Sequence, residues 1–254
     1  MILLMAENKL SIIVSAYNVA DYISKTIDSI IEQTNKNFKL IIVDDCSTDN
    51  TLDIIKKYEE KYDWIKVIYH AQNAGVSAAR NSGLQAVDTD LVTFVDGDDY
   101  IEPDYVDFFL GLFNKYDIDL ATCGFFNENG KLKNKKLDRQ NGFVDRDEAI
   151  KQIIKINGTV MGYTWNKAYK TSIIKENNLS FQTDLDLMED EVFNVEYATL
   201  AHKFYLDNLP LYHYVNRKDS ASRKVTIENV RDVGLANLRV YRTIHGFNDR
   251  EEMQ

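Results

Sequence analysis

The sequence predicts an α/β fold, in which a mostly parallel sheet has helices on both faces. Apolar runs alternate with segments of helical spacing between residues 10 and 95, and a polar cluster directly follows three of the four runs. The chain has 254 residues, of which 44% are hydrophobic, so it can bury a sizeable core. Its length corresponds to one or two domains.

Four apolar runs are predicted to be strands: 10–14, 38–43, 65–69 and 91–95. Apolar residues three or four positions apart predict the helices between them, at 19–33, 50–62 and 76–86. In the first helix this repeat is carried by Ile23, Ile27 and Ile30. Because ligands bind beyond the carboxyl ends of such strands, we expect the three polar clusters to meet at one edge of the sheet.

The second half of the sequence is less regular. Its predicted helices are 103–116, 145–156, 189–200 and a terminal amphipathic helix at 225–243. Its predicted strands are 118–126, 165–169 and 209–214, and a Lys-rich loop spans 127–141. Asp145 is the expected cap of the second of these helices, because aspartate side chains accept hydrogen bonds from the first turn.

The formal net charge of −10 argues against nucleic acid as a partner, because no basic face is present to replace phosphate counterions. An anionic ligand must therefore be received locally, by a metal ion or a helix N-terminus. The two cysteines, Cys46 and Cys123, form no metal or disulfide pattern and predict free thiols. With neither a signal segment nor an apolar run of membrane-spanning length, we expect a cytoplasmic protein that meets a membrane only at its surface.

The stretch "FVDGDDYIEPD", residues 94–104, places four aspartates and one glutamate at the end of a predicted buried strand. An EF-hand loop starting at Asp96 is excluded, because Ile101 and Asp107 stand where glycine and glutamate are needed. A phosphatase with an Asp-x-Asp nucleophile fits the spacing but has Tyr100 where Thr or Val is usual. The third alternative is a divalent cation that the carboxylates share with a diphosphate. For Glu102 and Asp104, a role at the start of the next helix is sufficient.

Six motifs in order resemble the family 2 glycosyltransferases of GT-A fold, the inverting type of bacterial surface-glycan synthesis. They are "SIIVSAYNVADYISKTIDSIIEQT", "KLIIVDDCSTDNT", "NAGVSAARNSG", "FVDGDDYIEPD", "WNKAYKTSII" and "MEDEVFNVEY". The resemblance covers roughly 9–220. It implies transfer of a sugar from a UDP-sugar to a sugar, lipid-linked or protein-linked glycan hydroxyl, with Mn²⁺ or Mg²⁺ as cofactor.

The resemblance also implies a division of the chain. Residues 1–220 would form the GT-A domain, with a nucleotide-sugar half at 9–100 and an acceptor half at 101–220. Residues 221–254 would form a C-terminal helical segment, compatible with a longer protein.

The resemblance assigns the nucleotide pocket residue by residue. Tyr17 would stack on the base beside Ser15, where many members have proline, and Asp45 would accept from the uracil imide. Arg80 would lie near the nucleotide or diphosphate, with a solvated helix face as the alternative. Gly75 would turn backbone N–H groups toward phosphate, with helix packing as the alternative.

The acidic stretch would supply the rest of the donor site. Asp96 would reach the ribose, Asp98 would hold the metal, and Asp99 would orient the sugar or support its neighbours. His213 would complete the metal shell, with a packed strand histidine as the alternative.

The acceptor side carries the predicted general base, Asp190 in "MEDEVF", with a simple helix-dipole role as the alternative. Glu189 would contact the acceptor, and Trp165 would offer it an aromatic platform or else pack in the core. Arg217 and Ser220 would belong to a loop that closes over the diphosphate.

Two rival functions remain open at this point: a nucleotidyltransferase or phosphohydrolase, and a non-catalytic module that binds nucleotide sugars. The presence of Asp45, Asp98 and Asp190 together argues against a degenerate, non-catalytic relative.

Overall fold

The structure, a computed structural model, describes residues 8–126, 142–156, 158–216 and 227–246. These residues form an eight-stranded sheet of order β3-β2-β1-β4-β9-β6-β10-β8 and a three-stranded sheet of order β5-β11-β7. The strands are β1 Leu10–Ala16, β2 Phe38–Asp44, β3 Ile65–Tyr69, β4 Leu91–Asp96, β5 Tyr100–Ile101, β6 Leu120–Thr122, β7 Gly124–Phe126, β8 Gly142–Val144, β9 Lys167–Lys170, β10 Phe204–Leu206 and β11 Pro210–His213. The helices are α1 Ile23–Ile31, α2 Thr51–Lys61, α3 Val76–Gln85, α4 Tyr105–Lys115, α5 Arg146–Ile153, α6 Thr171–Glu176, α7 Glu189–Leu200 and α8 Ile227–Ile244.

The large sheet separates two hydrophobic cores, as predicted for a sheet covered on both faces. Successive residues of β1 point to opposite sides: Ile12 and Val14 lie in one core and Ile13 in the other. The first core includes residues of α1, α2 and α4, and the second includes residues of α3, α5, α6, α7 and α8. Because both faces are covered, the central strands are predominantly apolar.

The first four strands pair in parallel, β3 with β2, β2 with β1 and β1 with β4. The predicted helix at 19–33 begins only at Ile23, because a turn closed by a hydrogen bond from Tyr22 N to Val19 O precedes it. The predicted cap at Asp145 is confirmed: its side chain accepts from Glu148 N at 2.9 Å.

The second half of the chain adds strands in mixed directions. β9 runs antiparallel to both β4 and β6, whereas β10 is parallel to β6. The predicted single strand at 118–126 is wrong, because the chain changes sheets at Cys123. There Cys123 N donates to Asn166 O and Gly124 N donates to Leu209 O, so the next residues pair with β11. The short helix α6 is not predicted by the sequence pattern.

Among the residues that the structure describes, no helix combines the length and the apolar character needed to cross a membrane.

Candidate active site

The carboxyl ends of β1, β2 and β4 lie side by side and form the floor of the candidate active site. In the register of the sheet, Ala16 lies opposite Asp44 and Ser15 lies opposite Asp96. Ser15 is half-buried, whereas the ring of Tyr17, just beyond β1, is exposed. The edge therefore combines an accessible aromatic ring with carboxylates at two strand ends.

A tight turn, residues 96–99, follows β4. Gly97 N donates to Ser15 O at 3.0 Å, and Asp99 N closes the turn on Asp96 O at 3.0 Å. A Cβ atom at Gly97 would lie 2.9 Å from Ser15 O, so a larger residue would push the turn away from β1. The glycine in the acidic motif therefore serves the close approach of two backbone segments.

Asp99 lies inside this turn and is 1% exposed. Its Oδ2 accepts from the Tyr212 hydroxyl at 2.6 Å, and its Oδ1 accepts from Val215 N at 2.7 Å. Burial raises the pKa of Asp99 well above its usual range, and the charges of Asp96 and Asp98 add to this. The predicted sugar contact of Asp99 is wrong, because the enclosed carboxylate ties the turn to β11.

Arg80, on α3, is 4% exposed and lies among three carboxylates. Its Nη1 donates to Glu189 at 2.9 Å and to Asp190 at 2.5 Å, and its Nη2 donates to Asp96 at 3.1 Å. The alternative of a solvated helix face is therefore wrong, whereas the place of Arg80 near the nucleotide or diphosphate stays a prediction. Burial alone would lower the pKa of Arg80, but Asp190, Asp96 and Glu189 together raise it.

Glu189 and Asp190 begin α7, and the Arg80 guanidinium joins both of them to Asp96 at the end of β4. Asp190 Oδ2 accepts from the backbone N–H and the hydroxyl of Thr164, each at 3.3 Å. Burial raises the pKa of Asp190 although Arg80 opposes this, and burial followed by the Asp190 charge raises the pKa of Glu189 to about 8. Glu189 contacts Arg80, and its contact with an acceptor stays a prediction.

The side chain of Asp45, which follows β2, binds the N-terminus of α3. Its Oδ1 lies 2.7 Å from His70 Nδ1 and accepts from Ala74 N at 3.0 Å, and its Oδ2 accepts from Gly75 N at 2.8 Å. Gly75, with φ of 88°, opens α3 as predicted, and its own N–H donates to Asp45. A contact between phosphate and the other N–H groups at the start of α3 stays a prediction. The uracil contact of Asp45 stays a prediction, and uracil would have to share this carboxylate with α3.

Trp165 is 2% exposed, so the prediction that it offers a platform to an acceptor sugar is wrong. Its ring stacks on Tyr163 at 4.6 Å and on Tyr212 at 4.3 Å between centroids. Its carbonyl accepts from the Tyr105 hydroxyl at 2.8 Å. The alternative, core packing, is what the structure shows.

His213 lies on β11, with its ring between Tyr100 at 4.2 Å and Phe126 at 4.4 Å. Its Nε2 contacts the carboxylate of Glu102. These contacts favour the alternative of a packed strand histidine, and the metal-ligand role of His213 stays a prediction.

The acidic turn was also predicted to hold Mn²⁺ or Mg²⁺. In the part of the chain that the structure describes, no three His, Cys, Asp or Glu side chains converge as an all-protein metal site. The repulsion that raises the pKa of Asp99 comes from Asp96 and Asp98, and a cation beside them would relieve it. Magnesium is often held by one or two carboxylates and completed by substrate phosphates, and the half-buried Asp98 fits that type of site.

Several side chains that build the site were not predicted. Thr164 binds Asp190, Tyr212 bridges Asp96 N and Asp99, and His70 links Asp45 to Ser82. Nothing in the local sequence marks Thr164 or Tyr212. A histidine between a strand and the "NAG" turn is a weak signal for His70. Arg217 and Ser220, the predicted closing loop, lie outside the described residues.

The sequence and the fold were compared with known proteins. Residues 11–177 match the model of glycosyl transferase family 2. EpsH of Bacillus subtilis (strain 168), named as a glycosyltransferase, is 34% identical over 209 residues, which is 80% of this chain and 60% of EpsH. Glycosyltransferase GlyA of Streptococcus pneumoniae is 33% identical over 228 residues, which is 87% of this chain and 32% of GlyA.

A solved structure shares the fold. The crystal structure of Staphylococcus aureus TarS 1-349 in complex with UDP-GlcNAc superposes with a TM-score of 0.78 at 23% identity, over 94% of this chain and 71% of that chain. TarS is named a poly(ribitol-phosphate) beta-N-acetylglucosaminyltransferase. The present chain spans less than two thirds of EpsH and about a third of GlyA and TarS.

Proposed function

Because the chain belongs to glycosyl transferase family 2, we propose that it transfers a sugar from a UDP-sugar to an acceptor hydroxyl in the synthesis of a bacterial cell-surface polysaccharide or glycoconjugate. The names of the relatives and the UDP-GlcNAc complex of TarS support this proposal. The family assignment also favours glycosyl transfer over the phosphohydrolase and nucleotidyltransferase alternatives.

One observation carries the proposal: Arg80 binds Asp96 at the donor edge and Asp190 on the acceptor side through the same guanidinium. A single buried cation therefore joins the two carboxylates. This supports a direct displacement, in which the sugar would lie between a nucleotide near Asp96 and a base at Asp190.

In this mechanism the nucleotide lies over the strand ends, with the base on the exposed ring of Tyr17 and the ribose near Asp96. Asp190 takes the proton of the acceptor hydroxyl as the hydroxyl oxygen bonds to the anomeric carbon. The bond from that carbon to the diphosphate oxygen breaks, and UDP leaves from the opposite face. The configuration of the sugar is therefore inverted.

The environment of Asp190 suits a base. Burial brings its pKa upward, toward the pH at which the enzyme would work, and this strengthens it as a proton acceptor. The positive charge of Arg80 opposes this upward shift of the pKa. Thr164 donates to the same carboxylate and limits its rotation.

A divalent cation at Asp98 and the diphosphate would neutralise the charge that develops on the leaving group. We also propose a cytoplasmic location, since Cys46 and Cys123 are free thiols and reducing compartments keep thiols in that state. The acceptor is proposed only as a hydroxyl of a growing glycan.

The test is a panel of UDP-sugars, measured by release of UDP and by calorimetric binding of UDP in Mn²⁺ and in EDTA. We expect release with at least one donor and tighter UDP binding with the metal. Asp98→Asn should remove the gain from the metal, whereas Asp104→Asn, an exposed neighbour in the same motif, should retain it. Equal UDP affinity in Mn²⁺ and in EDTA would reject the metal site. If no UDP-sugar in the panel released UDP, the proposed transferase activity would be rejected.

A further inference from the structure

Lys167 is a buried charged residue that the mechanism above does not use. It begins β9, and its side chain has no exposed surface. Its Nζ donates to Met161 O at 2.8 Å, to Asn166 Oδ1 at 2.8 Å, to Val160 O at 3.3 Å and to Tyr163 O. A buried ammonium group is costly unless it is paired or fully hydrogen-bonded, so these oxygens account for its presence.

The oxygens around Lys167 come mostly from one segment, residues 160–164, which we call the acceptor loop. Asn194, on α7, holds the same loop from the other side: its Nδ2 donates to Gly162 O at 2.8 Å and to Asp190 O at 2.8 Å. Two buried side chains therefore satisfy successive carbonyl groups of the loop. Without them the carbonyl groups of Met161, Gly162 and Tyr163 would lose these partners, whereas Val160 O would keep its bond from Asn166 Nδ2.

The acceptor loop ends at Thr164, which contacts the proposed base directly. Both the N–H and the hydroxyl of Thr164 donate to Asp190 Oδ2 at 3.3 Å. Met161, within the loop, has φ of 51°, a conformation that methionine adopts only when its surroundings impose it. The loop is therefore held in shape by its contacts and not by its own preference.

We propose that Lys167 is a positioning residue for sugar transfer: its ammonium group holds the acceptor loop so that Thr164 orients the Asp190 carboxylate toward the acceptor hydroxyl. This rests on the proposed function for the reaction itself, but the hold on the loop is a property of the protein alone.

The charge of Lys167 matters because of how many hydrogens it provides. An ammonium group has three donors for the surrounding oxygens, whereas a neutral amine has two and turns a lone pair toward a carbonyl. The titratable groups whose charge acts on it are Asp190 and Glu191 from α7 and the buried thiol of Cys123. Burial raises the pKa of the Cys123 thiol, so Cys123 stays neutral.

Burial lowers the pKa of Lys167 to about 7, against the raising effect of Asp190. The ammonium form is therefore lost as pH rises through neutrality, and the acceptor loop should loosen over the same range. Arginine stays charged at every pH tested, so Lys167→Arg should remove this dependence.

Hydrogen exchange tests the hold on the loop without any substrate. We compare exchange of a peptide covering 158–166, corrected for intrinsic rates, at pH 6 and pH 8.5 in wild type, Lys167→Met, Lys167→Arg and Asn194→Ala. We expect wild type to lose protection at the higher pH, Lys167→Met to be unprotected at both, and Asn194→Ala to be less protected yet to keep the pH dependence. Lys175→Met is the matched control, since Lys175 also donates to a backbone carbonyl, Val87 O at 2.6 Å, but on α6.

Activity gives the second measurement, with UDP-GlcNAc as the donor probe and release of UDP as the signal. Because a misplaced group costs on the order of 10²-fold in rate, Lys167→Met should lower the turnover number by about that factor. The dissociation constant of UDP should stay within about twofold of wild type, because no contact of Lys167 reaches the donor edge. If Lys167→Met lost both UDP binding and turnover, a role in positioning Asp190 would be rejected.

The outcomes separate the two proposals. If no variant changes exchange in 158–166, the positioning role is wrong even where UDP-GlcNAc is turned over. If exchange changes as expected but no UDP-sugar is used, the proposed function fails and the hold on the loop stands. If Lys167→Arg does not fold, NMR titration of the lysine side chains in wild type tests the proposed pH dependence instead. A Lys167 side chain that stays protonated above pH 9 would overturn the pH dependence.

Discussion

The donor half of the molecule, up to β5, and the acceptor half, from α4 to β11, use buried charge in opposite ways. In the donor half, strands β1 to β4 are parallel, and Asp45 caps backbone N–H groups. In the acceptor half the strands are short and mixed in direction, and Glu189 and Asp190 at the start of α7 share a buried cation, Arg80, that belongs to the donor half. In the proposed function, the regular half therefore supplies the binding edge and the irregular half supplies the general base.

Residues other than glycine with positive φ occur in both halves of the part of the chain that the structure describes: Asn18 and Cys46 in the donor half, and Met161, Asn178 and Met188 in the acceptor half. Met161 lies in the acceptor loop, and Met188 directly precedes Glu189. Such conformations persist only where the surrounding structure imposes them, and they tend to cluster at functional sites. The two methionines lie close in sequence to Thr164 and Asp190, and substitutions around Asp190 should separate activity from stability.

The largest effect is expected for Asp190→Asn, which keeps the shape of the side chain and removes the base. Turnover should fall by about 10²–10⁴-fold, because this is the usual contribution of proton transfer. The affinity for UDP should change little. Glu191→Gln is the control, as the adjacent half-buried acid of α7. Transfer by Asp190→Asn near the wild-type rate would remove Asp190 from the mechanism.

The next largest effect is expected for Arg80→Met. It leaves Asp96, Glu189 and Asp190 without their buried counter-charge, and breaking a buried pair costs about 3–5 kcal/mol of unfolding free energy. Chemical denaturation at pH 7 measures this. Arg239→Met is the matched control, since Arg239 makes two bonds to the exposed Asp184, at 2.9 and 2.7 Å, and should cost about 0–1 kcal/mol. Equal losses would show that the carboxylate cluster is not held by Arg80.

A pH-dependent effect is expected from Glu189. Its folded-state pKa, about 8, lies above the ordinary value of 4.5, so the folded protein retains a proton that the unfolded chain releases. The stabilisation is complete below pH 4.5 and is lost as pH rises to about 8, by at most about 1.4 kcal/mol per pH unit. Glu189→Gln should remove this slope, so its stability relative to wild type should rise from pH 5 to pH 8. A difference that stays flat over that range would contradict the raised pKa.

The smallest effect is expected in the donor half, for Gly97→Ala. The added Cβ would meet Ser15 O at 2.9 Å, and forced overpacking of this kind costs about 1–3 kcal/mol. Gly111→Ala is the control, because nothing lies within 4 Å of a Cβ atom at that position. Alanine in the middle of α4 should raise the free energy of unfolding by about 0.5–1 kcal/mol. Thermal unfolding of both variants measures the difference. A neutral Gly97→Ala would mean that the acidic turn is free to move off β1.

How far the sequence predicts the structure also differs between the halves. The alternation of Ile12, Ile13 and Val14 between two cores follows from strand periodicity, so the four donor strands are predicted correctly. The break at Cys123 is not predictable, because it depends on pairing with residues more than 40 positions later in the sequence.

The site shows the same limit. A resemblance between motifs identifies Asp190 and Asp96 as site candidates, but it does not reveal that Arg80 joins them. Trp165 and His213 belong to residue types that serve both binding and packing, and only their three-dimensional neighbours decide between the two. Asp99 and Asp98 are neighbours in sequence, yet Asp99 is buried and Asp98 is only half-buried, which the sequence does not indicate.

The position of β9 has a consequence for how the chain folds. This strand lies between β4 and β6, and it pairs Leu91 with Lys170 on one side and Leu120 with Tyr169 on the other. A chain ending near residue 100 would expose the edge of β4, a template for association with other chains. The donor half therefore cannot complete its own sheet during synthesis, and it must wait for about 70 further residues to be made. The two halves are expected to fold and unfold together, as one cooperative unit.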